Sequence, residues 1–369
     1  MPVPLDEYPI HQAPVSLRHF GTSDRNVYDR CIMHCFARDG AVEMITGLGV
    51  YPALGVIDAY ATARRGDRQW VVRSSDALGD DRMQQRVGPI RFEVVEPLEQ
   101  IRAVCEGDEH GLAFDLTFTG AFPAVEEPNH RHRLGGQLIL DACRFVQTGG
   151  WSGTMRIDGE DLTVADPGWS GTRDRSWGIR PVGEAQAPGR PPATEGGFWW
   201  VWCPLRFDDF AVVVIAQEHA DGHRVLSEAV RIWPSASGRG VEQLGWPELE
   251  IDYAPGTRHP ERARIHLMER PRRPLTIEVE TLEFVSLSIG CGYGGDPDWT
   301  HGEWKGEGWV QGAVYDLTDA ALLARVPFTN IDHVARATLD GAVGTGIFEH
   351  ASIGRHEPTG FATFDAVAP

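Results

Sequence analysis

Short stretches in which apolar and polar residues alternate, separated by glycine-bearing turns, recur along the whole of this chain. Over 112–118, Leu112, Phe114, Leu116 and Phe118 point one way and Ala113, Asp115 and Thr117 the other, which is the period of a half-buried strand. Stretches at 28–36, 41–44, 55–60, 69–72, 91–95, 137–145 and 153–164 read as strands, with turns at Asp39-Gly40 and Asp158-Gly159. The second half repeats the pattern at 198–202, 210–216, 225–233, 263–268, 275–287, 309–315 and 346–348. Within 275–287 the parity changes, because Ile277 and Val279 share one face and Leu282 and Phe284 the other, so a β-bulge is expected near Thr281. One helix is expected, over 318–325, capped by Asp316 or Thr318 and burying Leu322, Leu323 and Val326. No strand is regularly followed by a helical period, which excludes Rossmann-like and TIM-barrel architectures. The expected class is therefore all-β, two antiparallel β-barrel-like domains packed together, with one short helix in the C-terminal half.

A chain of 369 residues has room for two cores of ordinary size. The expected division is an N-terminal barrel over 1–165, a central interdomain segment over 166–190 and a C-terminal barrel over 191–369. Residues 1–25 lack periodicity and read as a surface arm. The Pro-rich stretch 187–192 marks an exposed loop or part of the boundary.

A formal net charge of −19 repels phosphate backbones, so nucleic acid is excluded as a partner class. No basic-then-apolar leader and no membrane-length apolar run is present, and the expected compartment is the cytoplasm, without membrane insertion. Cys31, Cys35, Cys105, Cys143, Cys203 and Cys291 read as buried free thiols in such a chain.

Chemistry concentrates at 166–181, Asp-Pro-Gly-Trp-Ser-Gly-Thr-Arg-Asp-Arg-Ser-Trp-Gly-Ile-Arg-Pro. Large aromatic area together with charge suits a buried polar network in which each ion finds a partner. As a strand, 173–180 places Asp174, Ser176, Gly178 and Arg180 on one face and Arg173, Arg175 and Trp177 on the other. Gly178 would leave room beside Asp174 for a ligand or another side chain. Burial raises a carboxyl pKa and a neighbouring arginine lowers it, so Asp174 is either a proton donor or a salt-bridge anchor.

No phosphate-binding loop and no Gly-x-Ser-x-Gly elbow is present. His130 and His132 stand two apart and would share one strand face, but no third ligand has zinc-site spacing, so no metal is expected. These histidines either bond to carboxylates such as Glu126 and Glu127 or face a cavity as proton-transfer groups.

The run Arg173-Asp174-Arg175-Ser176-Trp177-Gly178-Ile179-Arg180, preceded by Gly168-Trp169-Ser170-Gly171, resembles the signature of the carotenoid 1,2-hydratase and AttH-like superfamily, closest to its uncharacterised bacterial members. Trp151-Ser152-Gly153, Asp158-Gly159 and Gly346-Ile347-Phe348-Glu349-His350 support the resemblance. It implies a pair of lipocalin-like barrels and a reaction on an apolar substrate without a cofactor. The implied activity is that of a hydratase, dehydratase, isomerase or cyclase acting on a terpenoid- or steroid-like molecule. Asp174 matches the position of the family's proton donor, with His130, His132 or Glu349 as an alternative acid or as the base. Trp169, Trp177 and Trp199 would stabilise developing positive charge through their ring faces. Arg180 would hold Asp174 or a substrate carboxylate, and Arg173 and Arg175 beside the acid favour a polar or carboxylated substrate. The rival reading is a non-catalytic carrier of a hydrophobic molecule.

Overall fold

A computed structural model describes residues 2–134, 136–185, 197–270, 272–294, 296–324 and 330–369. The expected loop 187–192, the end of the 166–190 segment, and Val326 of the helix stripe lie outside the described residues. Among the described residues the regular secondary structure is almost entirely antiparallel sheet.

The first sheet takes β1 (Val27–Ala37), β2 (Val42–Tyr51), β3 (Val56–Arg65), β4 (Arg68–Ala77), β5 (Arg86–Val87), β6 (Ile90–Glu96) and β7 (Gln100–Gly107). It continues through β8 (Leu112–Gly120), β9 (Val125–Glu126), β10 (His130–Leu134), β11 (Gln137–Ile157), β12 (Glu160–Val164) and β13 (Trp169–Ile179). The second sheet begins with β14 (Phe198–Arg206), β15 (Ala211–Glu218), β16 (Arg224–Ile232), β17 (Val241–Gln243), β18 (Glu248–Tyr253), β19 (Pro260–Glu269) and β20 (Arg273–Ser286). Next, β21 (Trp309–Asp316) returns to the first sheet and pairs with β4, while β22 (Ile331–Leu339) and β23 (Ala342–Ile353) complete the second. The helix α1 (Ala320–Leu323) is capped by Asp319, which accepts from the Ala321 amide at 2.8 Å, in place of Asp316 or Thr318.

The path of the first sheet is β21-β4-β3-β2-β1-β13-β11-β8-β7-β6-β5, and that of the second is β17-β16-β15-β14-β23-β22-β20-β19-β18. Each curls around its own core. The first encloses Met33, Met44, Ala61, Val72, Phe92, Leu116 and Trp151, drawn from strands along the whole path. The second encloses Val201, Val214, Ile265, Ile277, Ala335 and Phe348 in the same way. Burial of such side chains, about 1.5–3 kcal/mol each, is what repays the entropy of ordering so many short strands.

One stretch departs from the sequence expectation and another meets it. Residues 137–157 form one strand of 21 residues rather than two short ones, because its two ends serve different partners: β10 and β9 at one end, β8 and β12 at the other. The shift of register between Thr281 and Phe284 is the bulge that the parity change required.

The segment expected to link the barrels contains β13, which lies inside the first sheet between β1 and β11. One face of these three strands looks into the first barrel and the other toward the second sheet. Cys31, Met33 and Cys35 belong to the first core, whereas Phe36 and Val146 pack with Trp202, Val213, Val334 and Ile347 of the second sheet. Ile32 on the same outer face packs with Val285, Leu287 and Trp299. The space between the two sheets is thus a third apolar layer, and the functional side chains line a gap in it.

Candidate functional site

A cavity of about 240 Å³ lies between the sheets, lined from one side by Arg30, Arg144, Asp174 and Arg180 and from the other by Trp200 and Glu349. Strand parity delivers these residues. Asp174 sits opposite Ile32 on β1 and Val146 on β11, so every second residue of the three central strands reaches the gap. Trp202 pairs with Glu349 across β14 and β23, which brings Trp200, Trp202 and Glu349 to the facing wall.

Asp174 Oδ2 lies 3.4 Å from Arg144 Nε, and each side chain keeps 15% of its exposure, enough to meet a ligand. Neither Arg173 nor Arg175 touches it. Arg173 points into the first barrel, donating from Nε to Gln147 Oε1 at 2.8 Å under the rings of Phe118 and Phe145. Arg175 pairs with Asp29 at 2.9 Å. Burial therefore dominates at Asp174: its pKa rises to about 6, although Arg144 pulls it down, with Glu127 and Glu349 adding to the rise.

Glu349 is the second carboxyl of the cavity. Its Oε1 accepts from Trp200 Nε1 at 2.6 Å and from Asn330 Nδ2 at 3.1 Å. Burial, then the neighbouring Asp332, raises its pKa to about 7. Two carboxyls with pKa values raised toward neutrality thus line one cavity, an arrangement in which one is able to hold a proton while the other accepts one.

Arg144 organises the floor between them. Its Nη1 donates to Glu127 Oε2 at 3.0 Å, its guanidinium lies 5.4 Å from the Trp200 ring centre, and Glu127 Oε1 accepts from Trp202 Nε1 at 2.7 Å. Glu127 is thus spent on Arg144 and Trp202, and not on the histidines. His130 stacks on Trp200 with ring centres 5.4 Å apart and planes 8° from parallel, and its Nε2 bonds to Gln217 Oε1. With that oxygen accepting, Nε2 carries the proton and the buried Nδ1, without a partner among the described residues, carries the lone pair. Burial and Arg144 lower its pKa to about 4, so the ring is neutral at physiological pH.

Behind Asp174, His34 Nε2 meets Asp332 Oδ2 at 2.9 Å, and His34 Nδ1 meets Thr172 Oγ1 at 3.1 Å. Gly171 makes this packing possible, since a Cβ there would stand 2.1 Å from the His34 carbonyl oxygen and 2.2 Å from Trp151 Nε1. Gly178 serves backbone approach too, not ligand room: its φ is +137° and a Cβ would meet the Asp141 carbonyl oxygen at 2.1 Å.

Of the residues singled out from sequence, Asp174, Arg180, His130 and Glu349 line one cavity. Five others lie elsewhere. His132 packs against His219, Arg173 and Trp169 belong to the first barrel's interior, and Trp199 packs in the second core, stacked on His356. Trp177 is 38% exposed on the opposite face of β13, beside the N-terminal arm. Among the described residues no group of three His, Cys, Asp or Glu side chains could hold a metal ion. Sequence reasoning missed Arg144, Trp200, Asn330, His34 and Asp332. On 28–36 a signal was present: Arg30 and His34 alternate with the wholly apolar Cys31, Met33 and Cys35, the pattern of a polar face turned to something other than the barrel core.

Over residues 3–362 the sequence matches a family described as a family of unknown function, DUF8625. The chain belongs to that family. No curated protein matches it by sequence. Solved structures share its fold at low identity, among them the following three. An AttH-like protein from Nitrosomonas europaea superposes with a TM-score of 0.54 at 15% identity, covering 95% of this chain and 99% of its own. Kievitone hydratase from Nectria haematococca gives 0.51 at 13% identity, covering 97% and 96%. CghA gives 0.51 at 13%, covering 89% and 88%. At these identities the likeness establishes the lipocalin-like all-β fold of this DUF8625 chain. No helix among its described residues is long and apolar enough to cross a membrane.

Proposed function

We propose that this protein is a lyase or isomerase of the hydratase, dehydratase or cyclase type, working by general acid catalysis on an apolar small molecule in the cavity between the sheets. The observation that carries this reading is the pair Asp174 and Glu349, raised by burial to about 6 and about 7 on facing walls of one cavity. That a similarly folded protein is a hydratase supports the reaction type. The superfamily resemblance points to terpenoid- or steroid-like substrates and to chemistry without a cofactor.

In the hydration direction the working form has Asp174 protonated and Glu349 ionised, the less populated of the two singly protonated forms because Glu349 holds a proton more tightly. Asp174 gives its proton to one alkene carbon, leaving an electron-poor carbon next to it. The ring faces of Trp200 and Phe198, both lining the cavity, attract that developing charge. Water then bonds to the electron-poor carbon, and its surplus proton passes to the Glu349 carboxylate. Dehydration runs the same steps backwards. In a cyclisation, a second double bond of the substrate takes the place of water. Exclusion of solvent by the interlayer packing strengthens each electrostatic contact.

The test is to incubate the protein with a panel of terpenoid and steroid alkenes and tertiary alcohols in heavy water and to follow deuterium at carbon by mass spectrometry. Solvent deuterium in substrate or product at a rate above the protein-free control supports acid catalysis. A co-crystallised panel member outside the interlayer cavity, or no deuterium with any member, would sink the proposal.

A further inference from the structure

At the outer end of the cavity stand two guanidinium groups whose charge the surrounding protein leaves largely unanswered. Arg180 lies over the rings of Tyr28 and Tyr293, 5.5 Å and 5.7 Å from their centres, and among the described residues its side chain has no hydrogen-bond or carboxylate partner. It does not hold Asp174, whose ion pair is with Arg144. Arg30 is 5% exposed, sits 4.9 Å from the centre of the same Tyr293 ring and uses Nη2 on Tyr293 Oη at 2.7 Å and His301 Nε2 at 3.0 Å. Its Nη1 is buried with no hydrogen-bond partner among the described residues. Burying a guanidinium donor without an acceptor is costly, so such a donor marks a place where an acceptor belongs.

Both arginines also line a second hollow of about 740 Å³ next to the cavity, so they stand at the junction of the two. Most other charged groups at that hollow are engaged, the exception being the Glu184 carboxylate, which among the described residues forms no ion pair with either arginine. Arg25 donates to the Val182 and Glu184 carbonyls, Asp296 pairs with Arg73 at 2.6 Å and Glu303 with Lys305 at 3.2 Å. Asp58, the carboxyl that acts on Arg30, is occupied by Tyr51 Oη at 3.1 Å and the Gly302 amide at 2.7 Å. On the cavity side of the junction the lining turns apolar, with Ile32, Ala142, Phe198, Trp200 and Ala351.

We propose that Arg180 and Arg30 form the receptor for the carboxylate of an apolar acid whose hydrocarbon body extends into the cavity toward Asp174 and Glu349. This rests on the reading of that cavity as the substrate site and names the substrate class: an unsaturated or hydroxylated apolar carboxylic acid, and not a neutral hydrocarbon. A carboxylate has the two acceptor oxygens that a guanidinium fork requires, and the tyrosine rings hold the forks in place. Anchoring one end fixes which carbon lies against Asp174, so the two arginines would act as positioning residues.

The experiment compares 1-naphthaleneacetate with 1-naphthaleneacetamide, two probes of equal shape that differ in charge, by calorimetry at about pH 8, where the acid is ionised. The native protein should bind the acid at least about tenfold more tightly than the amide, the scale of one charge-assisted bond. Arg180→Gln, with an unchanged melting temperature, should cut that preference severalfold and leave amide affinity within about twofold, and Arg180→Lys should keep more of it. Should Arg30→Gln fail to fold, the Arg180 variants decide. Equal affinities for the two probes in the native protein, a preference undiminished in Arg180→Gln, or no saturable binding of the acid up to about 10 mM would each overturn the proposal. Asp174→Asn, which removes a negative charge from the cavity at this pH, should not lower the acid-to-amide ratio, so loss of this receptor and loss of acid catalysis are read separately.

Discussion

His34 of the first sheet and Asp332 of the second meet at 2.9 Å with neither side chain exposed, so the wall behind Asp174 is fastened by a hydrogen bond between the two halves. Burial lowers the His34 pKa to about 4 and pushes Asp332 far up, the latter helped by Asp174, so the pair is neutral as a unit and holds its proton between the two rather than releasing it. Removing one partner leaves a buried polar group facing apolar packing. Asp332→Leu should destabilise by about 3–5 kcal/mol in urea unfolding, and adding His34→Leu should recover part of that loss. Equal losses in the single and double variants would show that the pair contributes nothing by its bond.

The two cavity carboxyls should leave a mark on stability as a function of pH. Asp174 rises from 3.8 to about 6 and Glu349 from 4.5 to about 7. A folded pKa above the unfolded one means a contribution fully present below the unfolded value and lost as pH rises through the folded one. Asp174→Asn and Glu349→Gln remove that loss, so each variant should gain on the parent by on the order of 3 kcal/mol between about pH 4 and about pH 8. The gains should fall short of additive, since Glu349 contributes to the rise at Asp174. A constant difference between variant and parent across that range would contradict the pKa directions.

Arg144 is the leading influence that lowers Asp174. Neutralising it, as Arg144→Gln in a Glu127→Gln background so that Glu127 is not left without its partner, should move the alkaline limb of the pH–rate profile upward from that of Glu127→Gln alone by about one unit or more. An unmoved limb would assign the titration to another group.

Gly178 lets β13 approach β11 at +137° in φ, with the Asp141 carbonyl oxygen where a Cβ would be. Gly178→Ala should cost at least about 2 kcal/mol in thermal unfolding, from strain and overpacking together. A near-neutral effect would mean that the two strands can part without loss, and that the spacing of Asp174 from Arg144 is not fixed by this contact.

How much of this could be read in the sequence differed between fold and site. Local alternation, as in 112–118, carries its own face assignment, and so do the parity change at Thr281 and the shared face of Asp174 and Arg180. The wall opposite was beyond such reading, because Trp200 and Glu349 reach Asp174 only through the packing of two sheets far apart in sequence. Trp169, Trp177 and Trp199 were singled out by residue type alone. Trp199 and Trp200 are equally aromatic, and only the parity of β14 sends one to the second core and the other to the cavity. The pairing of β21 with β4 likewise has no local signal, since 309–316 alternates as it would in either sheet.

Turnover by Asp174→Asn tests the central claim most directly. With whichever panel member the native protein transforms, the variant should keep its fold and its affinity for that ligand and lose turnover by about a hundredfold or more. A folded variant that binds the ligand and turns it over at the native rate would contradict the account and place the proton donor elsewhere in the cavity.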